Sequence, residues 1–276
     1  MSQTPQSVPP QSVPASNHVD AYTPPQVAAL VEAVGARKAS LPALQTATLG
    51  LLAGAFIAFG GMFFTLVMTG NELGLGPGRL LGGLAFSLGL VLVVIGGAEL
   101  FTGNNLIVMA WADGKVTTGA LLRNWGLVYV ANFVGSLGCV VLVHLSGALE
   151  LGGGAVSETA ASIAAGKLRL GPLEAFSRGI LCNVLVCLAV WLCFAAHSVS
   201  GKILAIAFPI SAFVALGFEH SVANMYLIPI GMLAQGAIDI SGFLGNLIPV
   251  TLGNIVGGGG LVALVYWLVY LRRPAA

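Results

Sequence analysis

Glu219 and His220 stand side by side, with Asn224 one helical turn further on, inside a run from about Ile203 to Ile230 that is otherwise apolar. In a segment long enough to cross a bilayer, an ionised side chain at the centre costs roughly 2.5–3.5 kcal/mol on insertion scales. Such groups face a cavity, a partner or a permeation path. A free imidazole titrates at about 6.5, so it can take or give a proton near working pH. The stretch Gly217-Phe218-Glu219-His220-Ser221-Val222-Ala223-Asn224 also has an echo 120 positions earlier, Gly97-Ala98-Glu99-Leu100-Phe101-Thr102-Gly103-Asn104. Both read G-x-E-x-x-x-x-N. A second pattern repeats at an offset of 122: Asn124 and Asn132 followed by Gly135, then Asn246 and Asn254 followed by Gly257.

The elements that must carry these residues follow from composition. The chain is 57% hydrophobic and 8% charged, against about 25% charged residues in soluble domains. It is read as an all-α integral membrane protein, since the apolar runs are continuous rather than alternating. Six spans are expected near Thr46–Thr69, Leu80–Ala110, Leu121–Leu145, Pro172–Ala196, Ile203–Ile230 and Asn246–Leu271. The second and fifth are too long. At 1.5 Å per residue they exceed a hydrocarbon core of about 30 Å, and their glycines and polar residues fall mid-way, so both are expected to be broken. Irregular backbone at that depth is tolerated only inside protein or beside a cavity. Three spans per copy force the copies into opposite topology, an inverted repeat with its site between the halves at the bilayer midplane.

Residues 1–24 are rich in Pro, Ser and Gln and read as a disordered cytoplasmic tail, without the pattern of a signal peptide. Pro24–Ser40 reads as an amphipathic helix on the membrane surface or against the bundle, the first element of a transporter domain over 25–272, with 273–276 a cytoplasmic end. The stretch Leu149–Gly171, with Gly152-Gly153-Gly154, reads as the longest connection. Seven Lys and Arg on the side of both termini (Arg37, Lys38, Lys115, Arg123, Lys202, Arg272, Arg273) oppose four on the other (Arg79, Lys167, Arg169, Arg178), which puts both termini in the cytoplasm. Gly50/Gly54, Gly78/Gly82 and Gly253/Gly257 are candidate seams for close helix approach. The four cysteines read as buried and apolar rather than as a metal site.

Within this frame His220 is read as lining a pore. Glu99 and Glu219, just past Gly97 and Gly217, are read as support for the breaks, accepting from freed backbone N–H groups. Asn104, Asn224, Asn132 and Asn254 brace the breaks in the same way. Thr102 takes the place of Val222 in the earlier copy, and its hydroxyl is the expected partner of His220.

The run GFEHS-x-AN-M at 217–225, with Gly97-Ala98-Glu99-Leu100-Phe101-Thr102, Asn124-Trp125 and Asn246-Leu247-Ile248-Pro249-Val250-Thr251-Leu252-Gly253-Asn254, resembles the formate/nitrite transporter family over roughly residues 25–272. The resemblance implies an aquaporin-like protomer of six helices, a homopentamer with one substrate path per protomer, and an inner (plasma) membrane location. It implies small monovalent weak-acid anions as substrates, formate first, with nitrite or hydrosulfide as the alternative, together with protons. It makes His220 the central histidine and Thr102 its partner. Phe86, Leu90 and Phe213 become the apolar constrictions, Asn183 a polar pore residue, Lys167 the lysine of the outer vestibule and Lys38 a basic residue of a cytoplasmic gate. No cofactor and no nucleic acid are implied. Both a channel and a proton-coupled carrier fit.

Two other classes fit less well. A neutral-solute channel of the aquaporin type would carry paired Asn-Pro-Ala signatures at the breaks, and a membrane enzyme using Glu219 and His220 as acid and base would want a nucleophile, metal or cofactor motif beside them. Neither signature is present.

Overall fold

The computed structural model describes residues 22–272, which are helical throughout apart from short links and contain no strand. The expected tail before Tyr22 and the end from 273 on lie outside the described residues. Helix α1 (Pro24–Ser40) opens with proline in its first turn and a capping box between Thr23 and Gln26, and closes on Arg37 and Lys38. That charge placement suits the helix dipole. Two long helices follow, α2 (Ala43–Met68) and α3 (Leu75–Gly96). After a break, a 3₁₀ turn (Gly103–Ile107) leads into the short α4 (Val108–Ala112). Helix α5 (Thr118–Leu145) precedes α6 (Ala155–Leu168) and α7 (Pro172–Ala195). Helix α8 (Val199–Ala215) ends at the second break, and α9 (Ser221–Gln235) resumes after it. Last, α10 (Ile240–Ile255) runs through a π turn at Val256–Leu264 into α11 (Val265–Tyr270).

Five stretches are long and apolar enough to cross a membrane: α2, α3, α5, α7 and the continuous Ile240–Tyr270. The expected second span splits at Gly97 and the expected fifth at Gly217, so α8 and α9 are each too short to count alone. The stretch 149–171 is not a plain connection. Gly152, Gly153 and Gly154 all sit at positive φ and end a tight link, after which α6 begins with Glu158 in its first turn and Lys167 in its last. The glycine triplet marks only the start of that segment.

Helix α2 packs on α3 and α5, α7 on α8 and α10, α3 on α8, and α6 on α9. Two of the three expected glycine pairs are backbone seams. A Cβ at Gly54 would collide with the Asn132 carbonyl of α5, and one at Gly257 with the Ile180 carbonyl of α7. Gly82 instead faces the side chains of Phe64 and Met68.

Candidate functional site

Each break starts with a glycine that must leave the helix in a left-handed turn. Gly97 (φ 80°) ends α3 with its own N–H and that of Ala98 donating to the Val93 carbonyl. Gly217 (φ 71°) ends α8 with N–H groups donating to Val214 and, from Phe218, to Phe213. A residue with a Cβ would be strained at either place.

Beyond each glycine one asparagine from a neighbouring helix closes the gap. The Asn132 amide donates to the carbonyls of Gly50 (2.7 Å) and Glu99 (2.9 Å), and its oxygen accepts from Phe101 N–H (2.9 Å). Asn254 does the same for Gly179 (2.8 Å), Glu219 (3.0 Å) and Ser221 (2.9 Å). Buried backbone groups need such partners, and Asn carries a donor and an acceptor on one head group.

The carboxylates differ from the expectation that they accept freed backbone N–H groups. Glu99 pairs with Lys38 Nζ (3.0 Å) and accepts from Asn104 Nδ2 (2.6 Å). Glu219 pairs with Lys167 Nζ (2.9 Å) and accepts from Asn224 Nδ2 (2.6 Å). A buried carboxylate with an ammonium in reach takes the charge-assisted bond, and the backbone donors are left to Asn132 and Asn254. The match extends further: Asn124 and Asn246 accept from Asn104 and Asn224, then donate to the backbone carbonyls of Lys38 and Lys167. Helices α1 and α6 therefore do equivalent work, each delivering a last-turn lysine to a break. The sequence signal for this was available in two short helices that both end in a cation, 129 positions apart.

At the centre Thr102 Oγ1 and His220 Nε2 lie 2.9 Å apart, with Thr102 fully buried and His220 3% exposed. His220 is also the N-cap of α9, its Nδ1 accepting from the Ala223 N–H at 3.0 Å. An amide N–H can only donate, so Nδ1 is bare and the neutral ring carries its proton on Nε2. That proton points at Thr102. The ring stacks on Phe213 (centroids 6.0 Å apart), which meets Phe86 edge-on at 5.7 Å.

Two cavities approach this pair. One of about 680 Å³, at the amino-terminal end of α3, is lined by Phe86, Phe213, His220, Glu219 and Lys167, together with Arg79 and Arg178. The other, about 470 Å³, lies at the opposite end of α3 and is lined by Leu90, Glu99, Asn104 and Lys38, together with Lys202. Phe86 and Leu90, one turn apart on α3, thus face one cavity each. Asn183, expected in the path, lines neither cavity. Its amide donates to the carbonyls of Thr102 (3.2 Å) and Asn254 (2.7 Å) and to Asn105 Oδ1 (3.2 Å), which fixes it within the wall behind Thr102.

In the sequence Arg79 and Arg178 counted only for their charge and Trp125 only as part of a motif; its indole N–H donates to the Asn104 carbonyl at 3.0 Å. The sequence allowed α1 to lie against the bundle but did not identify the contacts that seat it there. Glu32, on the buried face of α1, pairs with Lys115, which sits 3.2 Å from Asp113; Asp113 accepts from the Trp267 indole at 3.2 Å. Burial pushes the Glu32 carboxyl above its ordinary 4.5, with Lys115 pulling the other way. The Trp267 N–H leads the causes that hold Asp113 below 3.8.

Comparison with known proteins follows the same lines. The family model described as Formate/nitrite transporter matches residues 25–268. The "Formate channel FocA" of Escherichia coli (strain K12) is 40% identical, over 94% of this chain and 98% of that protein. A "Probable formate transporter" of Methanothermobacter thermautotrophicus is 42% identical, over 91% and 98%. Among solved structures, a "Pentameric formate channel with formate bound" superposes with a TM-score of 0.77 at 42% identity, covering 83% of this chain and 98% of that one. An "FNT family ion channel" gives 0.81 at 30% identity, covering 88% and 98%.

Proposed function

The chain belongs to the formate/nitrite transporter family, whose members are transporters and not enzymes, and from that premise we propose that it is a formate transporter with one path per protomer through the Thr102–His220 pair. It is a multi-pass membrane protein. The finer reading is six spans in two inverted three-helix halves, five protomers per assembly, and an inner-membrane location with both termini in the cytoplasm. The recurrence of one contact set at both breaks supports the repeat. The pentameric relative supports the assembly.

The observation that carries the functional reading is the position of His220 at the inner end of a cation-lined cavity, hydrogen-bonded to Thr102 and walled by Phe86 and Phe213. Taking a bare carboxylate into a medium of low dielectric constant costs on the order of 20 kcal/mol in the Born limit. Cations at each mouth, Lys167 with Arg79 and Arg178 on one side and Lys38 with Lys202 on the other, raise the local anion concentration. At the centre the Nε2–H of His220 and the Thr102 hydroxyl are the donors an anion meets. Proton donation needs a ring protonated on both nitrogens, and that ring cannot keep the bond from Ala223. Protonation of His220 and release of the α9 cap are therefore one event, which separates a simple channel from a proton-assisted step. The Lys38–Glu99 pair and the packing of α1 on the half-helix after the first break support reading Lys38 as part of a cytoplasmic gate.

Uptake into proteoliposomes tests this reading, comparing formate, nitrite, hydrosulfide and glycerol. Formate uptake well above that of glycerol is expected; equal uptake of the two, or none of any anion, refutes it. Faster nitrite or hydrosulfide than formate would move the substrate within the family.

A further inference from the structure

Two guanidinium groups from different helices gather at the mouth of the larger cavity, and their placement is not explained by the central pair. Arg79, near the start of α3, donates from Nη1 to the Ala215 carbonyl at 3.2 Å. Arg178, on α7, donates from Nη1 to the Gly217 carbonyl at 3.0 Å and from Nη2 to Glu174 at 2.6 Å. Both head groups crowd one glycine, for a Cβ built on Gly217 would lie 3.1 Å from Arg79 Nη1 and 3.5 Å from Arg178 Nη1. Like charges so close repel, and the carbonyls at the end of α8 offset only part of that. Arg79 has no carboxylate partner among the described residues, and one of its five N–H donors is used by Ala215.

The neighbouring charges sharpen the point. Lys167 lines the same cavity, yet its ammonium is committed to Glu219 and is 15% exposed. Glu158, in the first turn of α6, is the other carboxylate on the cavity wall. Lys167 is paired with Glu219 and Arg178 with Glu174, so Arg79 is the cation of this wall that no carboxylate pairs with among the described residues. A guanidinium is also a planar fork suited to a planar carboxylate, which an ammonium is not.

We propose that Arg79 and Arg178 form a docking site for a planar monovalent oxyanion, carboxylate-shaped, at the mouth of the His220 cavity. The site is separate from Lys167 and hands its anion inward along Gly217–His220. The inference rests on the proposed anion transport and adds a selectivity step ahead of it: a two-oxygen anion is gathered by shape as well as charge, and hydrosulfide by charge alone.

Two measurements test it. In proteoliposomes, Arg79→Lys keeps the charge and loses the fork. The apparent KM for formate should rise roughly tenfold, the size of one lost charge-assisted hydrogen bond, while that for hydrosulfide stays put. An equal change for both anions, or a fall in maximal rate at unchanged KM, would assign Arg79 to capping α8 alone and overturn the proposal. In the detergent-solubilised wild-type chain, formate should protect Arg79 and Arg178 from phenylglyoxal, read residue by residue by mass spectrometry. Absence of protection overturns the site even if the variant fails to fold. Wild-type protein that carries no formate refutes the proposed function, and the protection measurement still decides the docking site.

Discussion

His220 makes two demands on its ring at once, capping α9 through Nδ1 and facing Thr102 through Nε2. The identity of this pair was legible in the sequence, because a titratable ring beside a carboxylate in an apolar run has few structural uses and Thr102 stood at the matching place of the earlier copy. The cap was not legible, since an N-cap depends on where the break ends, and that is settled by Asn254 from another helix. Nor was the wall position of Asn183, which depends on the carbonyls of Thr102 and Asn254 coming within its reach. Replacing Thr102 by Val removes the acceptor for a buried N–H at nearly constant volume. A buried donor left without a partner costs about 1–3 kcal/mol, so formate uptake should fall by about tenfold or more, and Thr102→Ser should restore most of it. Initial rates in proteoliposomes check this, and a Val variant as fast as wild type would remove Thr102 from the path.

At the scale of elements, a break is a glycine turn plus an asparagine from the next helix, and each part fails in its own way. Asn254→Ala leaves the Glu219 carbonyl and the Ser221 N–H without partners and removes a second donor from the Gly179 carbonyl of α7. At roughly 1 kcal/mol or more for each unsatisfied group, the loss should reach about 2 kcal/mol and appear as a clearly lower midpoint of thermal inactivation in detergent. An unchanged midpoint would contradict the bracing role. The breaks could be placed from sequence because spans of such length do not fit a bilayer, whereas α6 was hidden behind three glycines and the pairing of its Lys167 with Glu219 is a contact across 52 residues. Helix α1 makes a pH prediction. Glu32 has its carboxyl raised above 4.5 by burial, so its contribution to docking is complete below that value and is lost as pH rises through the raised one. Asp113 is shifted the other way, and its contribution fails only below about 3.8. As pH falls from neutral toward 4.5 the α1 amides should therefore become better protected from hydrogen exchange, by at most about 1.4 kcal/mol per pH unit. Glu32→Gln should abolish that trend, and wild-type protection that is flat over the range would contradict it.

At the scale of the whole molecule, one cation-lined cavity lies at each end of α3, with Phe86 on the wall of one and Leu90 on the wall of the other. The molecule's class was visible in composition alone, since 8% charged residues cannot coat a water-soluble surface, and the recurrence of one contact set at the two breaks has its counterpart in two sequence patterns at nearly one offset. The equivalence of α1 and α6 lay beyond pattern reading because it is carried by backbone carbonyls of Lys38 and Lys167, which every residue type possesses. Phe86, Phe213 and His220 line the first cavity and Leu90 the second, while Thr102, bonded to His220, lines neither, so the account stands on what passes between the two. The most direct test is the pH profile of formate uptake into proteoliposomes for the wild-type protein beside His220→Ala. Wild-type uptake should change with pH, and the Ala variant should lose either the uptake or its pH dependence. Profiles that coincide at every pH would contradict the assignment of His220 to the transport path.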